Sequence, residues 1–203
     1  MDPSRHTIMP GAAHNGWRGY VLLGLTVVGV ACGLVSPPRM RGQHAKPSEY
    51  DVKAAYLYNF GRFTEWPATI AQNGSDSFDI CVLGENPFGT ALANVVANEK
   101  VAGRRVIAKQ IPLPEDAINC RVLFISSSED KQLKQILSSL SAASVLTVSD
   151  LPHFTQLGGM VQFVLEDNRV RFEVNSASAA RARLTLSSEL LKLAVNAKTQ
   201  LGD

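Results

Sequence analysis

The chain has 203 residues, of which 45% are hydrophobic and 19% are charged, so it is long enough to bury a sizeable core. Residues 1–45 carry four Arg and one Asp, which leaves 16 basic against 17 acidic residues over 46–203. The basic surplus of the chain therefore belongs to its first segment, and the remainder lacks the cationic surplus that non-specific nucleic-acid binding needs.

Residues 1–45 have the pattern of an export signal followed by a linker. Basic residues precede an apolar run over 20–35, which is about 16 residues long and shorter than the roughly 20 that span a membrane. A basic start, a short apolar centre and small residues at its end are typical of a secretory signal. Cys32, at the end of the run, leaves lipidation open, and a retained membrane tether is a third alternative. We expect one exported domain over 46–203.

The first predicted element of that domain is a helix that begins near Tyr50. Large side chains recur at helical spacing and define one face, which must dock on a core. That face consists of Val52, Tyr56, Asn59, Phe60 and Phe63. The helix is expected to end at Trp66, because the residue before a proline is pushed out of the helical region.

After this helix, short strands alternate with helices, which is the pattern of an α/β sheet with parallel pairs. The predicted strands are residues 78–83, 104–111, 121–125 and 145–148, and the predicted helices are residues 87–96 and 129–140. The first and third strands are almost continuously apolar, and this fits a sheet that is covered on both faces.

The last part of the domain changes pattern. Residues 160–165 and 169–174 alternate between apolar and polar side chains, which predicts an antiparallel hairpin with a solvated face. Asn175 or Ser176 is expected to cap one final helix that reaches Val195. The predicted fold is therefore a mixed, mostly parallel sheet of about six strands, with helices on both faces and a C-terminal antiparallel hairpin.

The residues for catalysis or metal binding are missing. Three of the four histidines lie in residues 1–45, and His153 alone cannot supply a metal site or serve a nucleophile. The serines at 126–128 follow a strand without a G-x-S-x-G motif, so a helix cap is the better interpretation. The turn at 84–89 matches no phosphate-binding glycine motif. We predict no catalytic residue, no metal and no cofactor.

Five stretches, in this order, carry a resemblance to a known family. They are residues 50–67 (YDVKAAYLYNFGRFTEWP), 80–84 (ICVLG) with 86–89 (NPFG), 120–126 (CRVLFIS), 145–150 (VLTVSD), and 170–175 (VRFEVN) leading into 186–194 (LSSELLKLA). Through them the chain resembles the YfiR family of periplasmic proteins, whose best-known members repress a membrane-bound diguanylate cyclase. The resemblance covers residues 48–196.

The resemblance implies a periplasmic, non-enzymatic protein that binds the periplasmic part of a membrane diguanylate cyclase and lowers cyclic-di-GMP output. It further implies competition by an outer-membrane lipoprotein, and it leaves homodimerisation open. The alternative is a periplasmic sensor that binds a small ligand and feeds a histidine kinase or another membrane receptor, because an α/β sheet offers a cleft at its strand ends.

Cys81 and Cys120 belong to strands that are predicted to be neighbours. Matching cysteines are present in members of the family that the chain resembles, and an exported protein meets an oxidising compartment. We expect a disulfide between them, with two buried free thiols as the alternative. Some family members carry a second pair near the terminal hairpin, but this chain has no cysteine after Cys120.

Three residues near the end of the first helix are candidates for contact with a partner. Arg62, Glu65 and Trp66 lie off the apolar face of that helix or at its edge. Tryptophan and arginine are among the residue types that most often dominate binding energy. Contact with a partner is one alternative; a core-capping tryptophan beside two solvated charges is the other.

Overall fold

The structure is a computed structural model that describes residues 47–68 and 76–196. The predicted export signal, Cys32 and the start of the linker lie outside the described residues. Over the two described ranges, no helix is both long enough and apolar enough to cross a membrane.

Helix α1, Glu49–Arg62, begins with a capping box. The hydroxyl of Ser48 accepts from the backbone N–H of Asp51 at 3.2 Å, and the Asp51 carboxylate accepts from the Ser48 N–H at 2.8 Å. Hydrogen bonds from the Ser48 side chain and backbone hold the pKa of Asp51 below its usual value. The helix was expected to end at Trp66, but it ends earlier, at Arg62. The next residues, Thr64–Glu65, already form strand β1.

The buried face of α1 is turned slightly from the predicted one. The buried residues are Lys53, Ala54, Leu57, Phe60 and Gly61. Phe63, which was predicted to be buried, is 36% exposed, so that part of the prediction was wrong. Two causes are visible: Lys53 enters the interior to meet a carboxylate, and Gly61 lets the helix backbone approach the ring of Phe78.

The strands after α1 form one mixed sheet. They are β2 (Ser77–Leu83), β3 (Lys100–Val101), β4 (Arg104–Ile111), β5 (Val122–Ile125), β6 (Leu146–Ser149), β7 (Val161–Glu166) and β8 (Arg169–Val174). Their order is β3-β4-β2-β5-β6-β7-β8. The five central strands are parallel, whereas β3 and β8 pair antiparallel with their neighbours. The mostly parallel sheet and its C-terminal hairpin are confirmed, and β3 is a short edge strand that the sequence did not predict.

Both faces of β2, β5 and β6 are buried. Successive side chains of these strands point to opposite sides of the sheet and so enter two different cores. One core contains Ile80, Val82, Val122 and Phe124 together with the buried side of α1. The other contains Cys81, Leu83, Leu123 and Ile125 together with buried side chains of the helix at Leu133–Leu140. The continuous apolar character of β2 and β5 is thereby explained.

The remaining helical segments are shorter than predicted. They are α2 (Ala91–Val96), α3 (Leu133–Leu140), α4 (Ser176–Arg181) and α5 (Ser188–Leu193), with 3-10 turns at Pro114–Asn119 and Ser127–Gln132. A serine side chain of residues 126–128 was expected to cap the helix, and that expectation was wrong. Ser126 stands at the cap position without a side-chain bond, and the Ser128 hydroxyl instead accepts from the N–H of Glu85 at 3.0 Å.

The single long C-terminal helix was also a wrong prediction. Asn175 does cap α4, since its side-chain oxygen accepts from the N–H of Ser178 at 2.9 Å. The chain then turns at Arg183, which has a left-handed φ of 59°, and forms strand β9, Thr185–Leu186. This strand pairs antiparallel with β1, and Ser187 caps α5. The residues predicted to form one final helix therefore belong to two short helices and a strand.

Cys81 and Cys120 are joined by a disulfide in the structure. Cys81 lies in β2 and Cys120 lies just before β5, the parallel neighbour of β2, so their Cα atoms are 6.0 Å apart. Both are buried in the core on the α3 side. In the loop-entropy description, a link across this separation stabilises the fold by about 4 kcal/mol.

We predict that Phe60→Ala lowers the free energy of unfolding by about 3–5 kcal/mol, measured by chemical denaturation. Phe60 is fully buried, and its ring centroid lies 5.0 Å from that of Phe172 and 5.7 Å from that of Phe163. Phe63→Ala is the matched control and should cost less than about 1.5 kcal/mol, because Phe63 is partly exposed. Equal losses for the two variants would contradict the buried face described above.

We further predict that protein recovered from the periplasm carries the Cys81–Cys120 bond. Mass spectrometry of a non-reduced digest should show the two cysteine peptides linked, and alkylation before reduction should label neither thiol. Complete alkylation of both cysteines in the folded, untreated protein would refute the prediction.

Candidate functional site

Arg62, Glu65 and Trp66, the three candidates from the sequence, are brought together at the C-terminal end of α1. They line a cavity of about 510 Å³, which we call the α1-end cleft, and Phe78 and two further arginines also belong to its wall. Arg62 and Glu65 are exposed, and Trp66 is half-buried. A volume of this size is in the range of cavities that accept ligands or the side chains of a partner.

Trp66 is fixed by the core and also borders the cleft. Its indole N–H donates to the backbone oxygen of Ser144 at 3.0 Å, and its ring meets Phe78 edge-on with centroids 5.3 Å apart. Trp66 therefore caps the core and still has a surface that a partner can contact, so these two alternatives from the sequence are compatible. A half-buried ring in a fixed orientation presents a binding surface without losing much conformational entropy.

Arg62 is held over aromatic rings. Its guanidinium carbon lies 5.6 Å from the ring centroid of Tyr58 and 5.9 Å from that of Phe63, which are cation–π distances. The Tyr58 hydroxyl donates to Glu99 at 2.6 Å, and that hydrogen bond raises the pKa of Tyr58. Arg62 forms no ion pair with a carboxylate within the described ranges.

Strand pairing positions Glu65. In the β1–β9 pair, Thr64 lies opposite Leu186 and Glu65 lies opposite Thr185. The N–H of Ser187 also donates to the backbone oxygen of Phe63 at 2.9 Å. The segment that follows α1 is thus fixed by the C-terminal part of the domain, a contact that local sequence patterns could not predict.

Arg104 and Arg121 are charged residues of the cleft that the sequence did not single out. Arg104 follows a two-residue turn at Ala102 and Gly103, whose φ angles of 50° and 80° are both left-handed. This turn joins β3 to β4, and the sequence Ala-Gly was the only local signal for it. Arg121 precedes β5 and is 9% exposed. Burial, followed by the positive charge of Arg104, lowers the pKa of Arg121, whereas the charge of Asp79 opposes the shift.

A second polar cluster lies at the other end of α1. The Lys53 ammonium donates to Asp150 at 2.6 Å and to Glu49 at 2.5 Å, and the Tyr50 hydroxyl donates to Asp150 at 3.0 Å. Burial lowers the pKa of Lys53, but the hydrogen bonds to the two carboxylates outweigh it, so the net shift is upward. The cluster ties the start of α1 to the end of β6 and has a structural role.

The carboxyl ends of β2 and β5, where doubly wound sheets bind phosphates, are filled by protein side chains. Gly84 has a φ of 86°, and a Cβ atom there would collide with Ser128 and Glu129. The Glu129 carboxylate would also repel a phosphate. His153 is exposed. In the part of the chain that the structure describes, no group of His, Cys, Asp and Glu could hold a metal ion.

Comparison with known proteins gives a family match and similarity to solved structures. The sequence profile of the YfiR/HmsC-like family matches residues 50–195. A solved structure described as a conserved domain protein from Vibrio cholerae O1 biovar El Tor str. N16961 is 11% identical, with a TM-score of 0.48. The match covers 73% of this chain and 60% of that one, so the chain spans about 60% of that protein's length. Similarity of this degree supports no conclusion about function.

We predict that Lys53→Met lowers the free energy of unfolding by about 3 kcal/mol, because it leaves the Asp150 carboxylate mostly buried without its cation. Denaturation at neutral pH measures the loss, and Lys192→Met, on an exposed residue, is the control with little expected effect. Since the pKa of Lys53 is raised, its contribution is fully present at neutral pH and is lost only as the pH rises through that raised value.

A double variant, Lys53→Met with Asp150→Asn, separates the pair from general damage to the fold. It should lose clearly less stability than the sum of the two single variants, because residues that share an interaction are not additive. Simple additivity would show that the ion pair contributes nothing of its own.

Proposed function

The chain belongs to the YfiR/HmsC-like family, and we propose that it binds the periplasmic part of a membrane diguanylate cyclase and holds that enzyme inactive. Membership of this family indicates a regulator of cyclic-di-GMP signalling in the periplasm rather than a catalyst. The family match over residues 50–195 is the observation that carries the proposal. The α1-end cleft supplies a surface on which a partner can be bound.

The chemistry of the cleft supports contact with a protein. Trp66 and Arg62 are of the residue types that most often dominate interface energy, and both are oriented by neighbouring groups before a partner arrives. Pre-orientation reduces the entropy that binding must overcome. Glu65 lies beside them at the exposed edge, where it can select a partner by charge.

Repression through such a surface requires only differential affinity. A cyclase that exchanges between an active and an inactive conformation is shifted toward whichever one the repressor binds better. Each tenfold difference in affinity shifts the equilibrium by about 1.4 kcal/mol. An outer-membrane lipoprotein that competes for the same surface would withdraw the repressor and restore cyclic-di-GMP synthesis.

The cleft volume also favours a second candidate function, a sensor that binds a small ligand and acts on a histidine kinase or another membrane receptor. Native mass spectrometry of protein purified from the periplasm distinguishes the two. A stoichiometric small molecule that leaves on denaturation supports the sensor, and a bare protein supports the repressor.

We predict that deletion of the gene raises cellular cyclic-di-GMP and that expression of the wild-type chain restores the lower level. Quantification of the nucleotide by mass spectrometry in matched cultures measures the change. An unchanged nucleotide level in the deletion strain would refute the proposed function.

We also predict that Arg62→Glu weakens repression and raises cyclic-di-GMP, because reversal of its charge disturbs the contact surface. The Tm should change little, because Arg62 is exposed and a cation–π contact at an exposed site contributes only about 0.5–1 kcal/mol. Arg171→Glu, an equal change at an exposed residue of β8, is the control and should repress like the wild type. A folded Arg62→Glu protein with normal repression would place the binding surface elsewhere.

A further inference from the structure

A second cavity, of about 240 Å³, is lined by residues of α3, β6, α4 and the segment before β7, and we call it the α3–α4 pocket. It shares no lining residue with the α1-end cleft. Three of its lining residues, Lys134, Leu157 and Arg181, are exposed, so a ligand can enter and leave through this rim. The volume is smaller than that of sites for drug-sized molecules, and it therefore suits a small ligand.

The charged residues of the pocket are basic. Lys134 belongs to α3 and Arg181 to the last turn of α4, and no carboxylate is among the described lining residues. Within the two described ranges, neither side chain forms an ion pair. Two cations that line one cavity without an acidic neighbour in its wall favour the entry of an anion.

Two buried hydroxyl groups line the same pocket, those of Thr147, which is 2% exposed, and Ser178, which is 4% exposed. The Thr147 hydroxyl accepts from the Met160 N–H at 3.2 Å, and the Ser178 hydroxyl accepts from the Arg181 guanidinium at 2.8 Å. In the part of the chain that the structure describes, no protein group accepts the proton of either hydroxyl. Buried donors are rarely left unsatisfied, so these two favour an acceptor oxygen in the pocket.

The C-terminal end of α3 also borders the pocket, and the carbonyls at such an end carry partial negative charge. The Ser138 carbonyl accepts from the N–H of Ser141 at 3.3 Å and from its hydroxyl at 2.8 Å, which offsets part of that charge. An anion is therefore expected near Arg181 rather than at the end of α3.

The apolar part of the lining is aliphatic. It consists of Leu137, Leu140, Leu157 and Met160, and none of the described lining residues is aromatic. Because no ring is present for stacking, the pocket suits an alkyl chain better than a nucleobase or an indole. Leu157 is 40% exposed, and an alkyl chain in the pocket would cover it.

We propose that the α3–α4 pocket binds a small aliphatic carboxylate. Lys134 and Arg181 hold the carboxylate, since guanidinium binds this group through two parallel hydrogen bonds. The alkyl chain lies on the leucines and on Met160. This site goes beyond the proposed repressor function and uses no residue of the α1-end cleft. It would make the domain responsive to a small molecule at a surface separate from the one proposed for the partner.

Methyl NMR of Met160 tests this proposal in protein purified from the periplasm with isotope-labelled methionine methyl groups. The chain has four methionines, and the other three lie at positions 1, 9 and 40, so Met160 is the reporter within the domain. Met160→Leu assigns its signal. The probes are hexanoate, its uncharged counterpart hexanol, and inorganic phosphate. We expect hexanoate to shift the Met160 signal saturably, with about tenfold weaker binding of hexanol, because hexanol lacks the charged hydrogen bonds.

Two matched pairs of variants test the role of the cations. Arg181→Gln should weaken hexanoate binding about tenfold, and Lys134→Gln should weaken it severalfold, while both proteins remain folded by circular dichroism. Arg183→Gln and Lys131→Gln remove exposed cations that lie outside the lining, and both should bind hexanoate like the wild type.

The outcomes separate this proposal from the proposed function. Absence of a saturable shift, equal binding of hexanoate and hexanol, or normal binding by folded Arg181→Gln overturns the proposed carboxylate site. Inorganic phosphate that binds as tightly as hexanoate overturns it too, because the pocket then recognises an anion without its alkyl chain. If hexanoate binds as expected while gene deletion leaves cyclic-di-GMP unchanged, the pocket stands and the repressor function fails.

Discussion

The ion pair between Lys53 and Asp150 fixes how α1 lies across the sheet, and the place of the cleft depends on that position. The pair joins the first turns of the helix to the residue that follows β6. At the other end, Gly61 allows the helix backbone to come against Phe78, which belongs to β2. Phe60, also on α1, packs its fully buried ring against Phe163 and Phe172. With both ends fixed, the chain that leaves α1 has a defined direction.

This rigidity suits a protein that acts by being bound. The cleft is built from the end of α1, residues of β1, β2, β3 and β4, and a tight turn. Both faces of β2, β5 and β6 are packed. A repressor that selects one conformation of its target needs a surface of stable shape more than it needs moving parts. The buried link between Cys81 and Cys120 adds to that stability in the oxidising compartment to which the family belongs.

The sequence predicted the features that have a local cause. The apolar runs of β2 and β5, the terminal hairpin and the cap at Asn175 follow from side-chain period and turn chemistry, and they were confirmed. The orientation of α1 was missed by a small rotation, because no local pattern shows that Lys53 finds a carboxylate inside the fold. The sequence predicted Arg62, Glu65 and Trp66 of the cleft but not Arg104, because Arg104 reaches the cleft only through contacts between segments that are distant in sequence.

The pairing of β1 with β9 has a consequence for how the domain forms. Thr64 meets Leu186, so the two ends of the described domain must come together before either strand has a partner. Contacts between such distant residues slow folding, because the long intervening loop must first be closed. An exported chain that enters the periplasm N-terminus first would therefore expose β1 well before β9 arrives. The cleft, which depends on this pairing, would be among the last parts to form, and a partner would meet a binding-competent surface only after translocation is nearly complete.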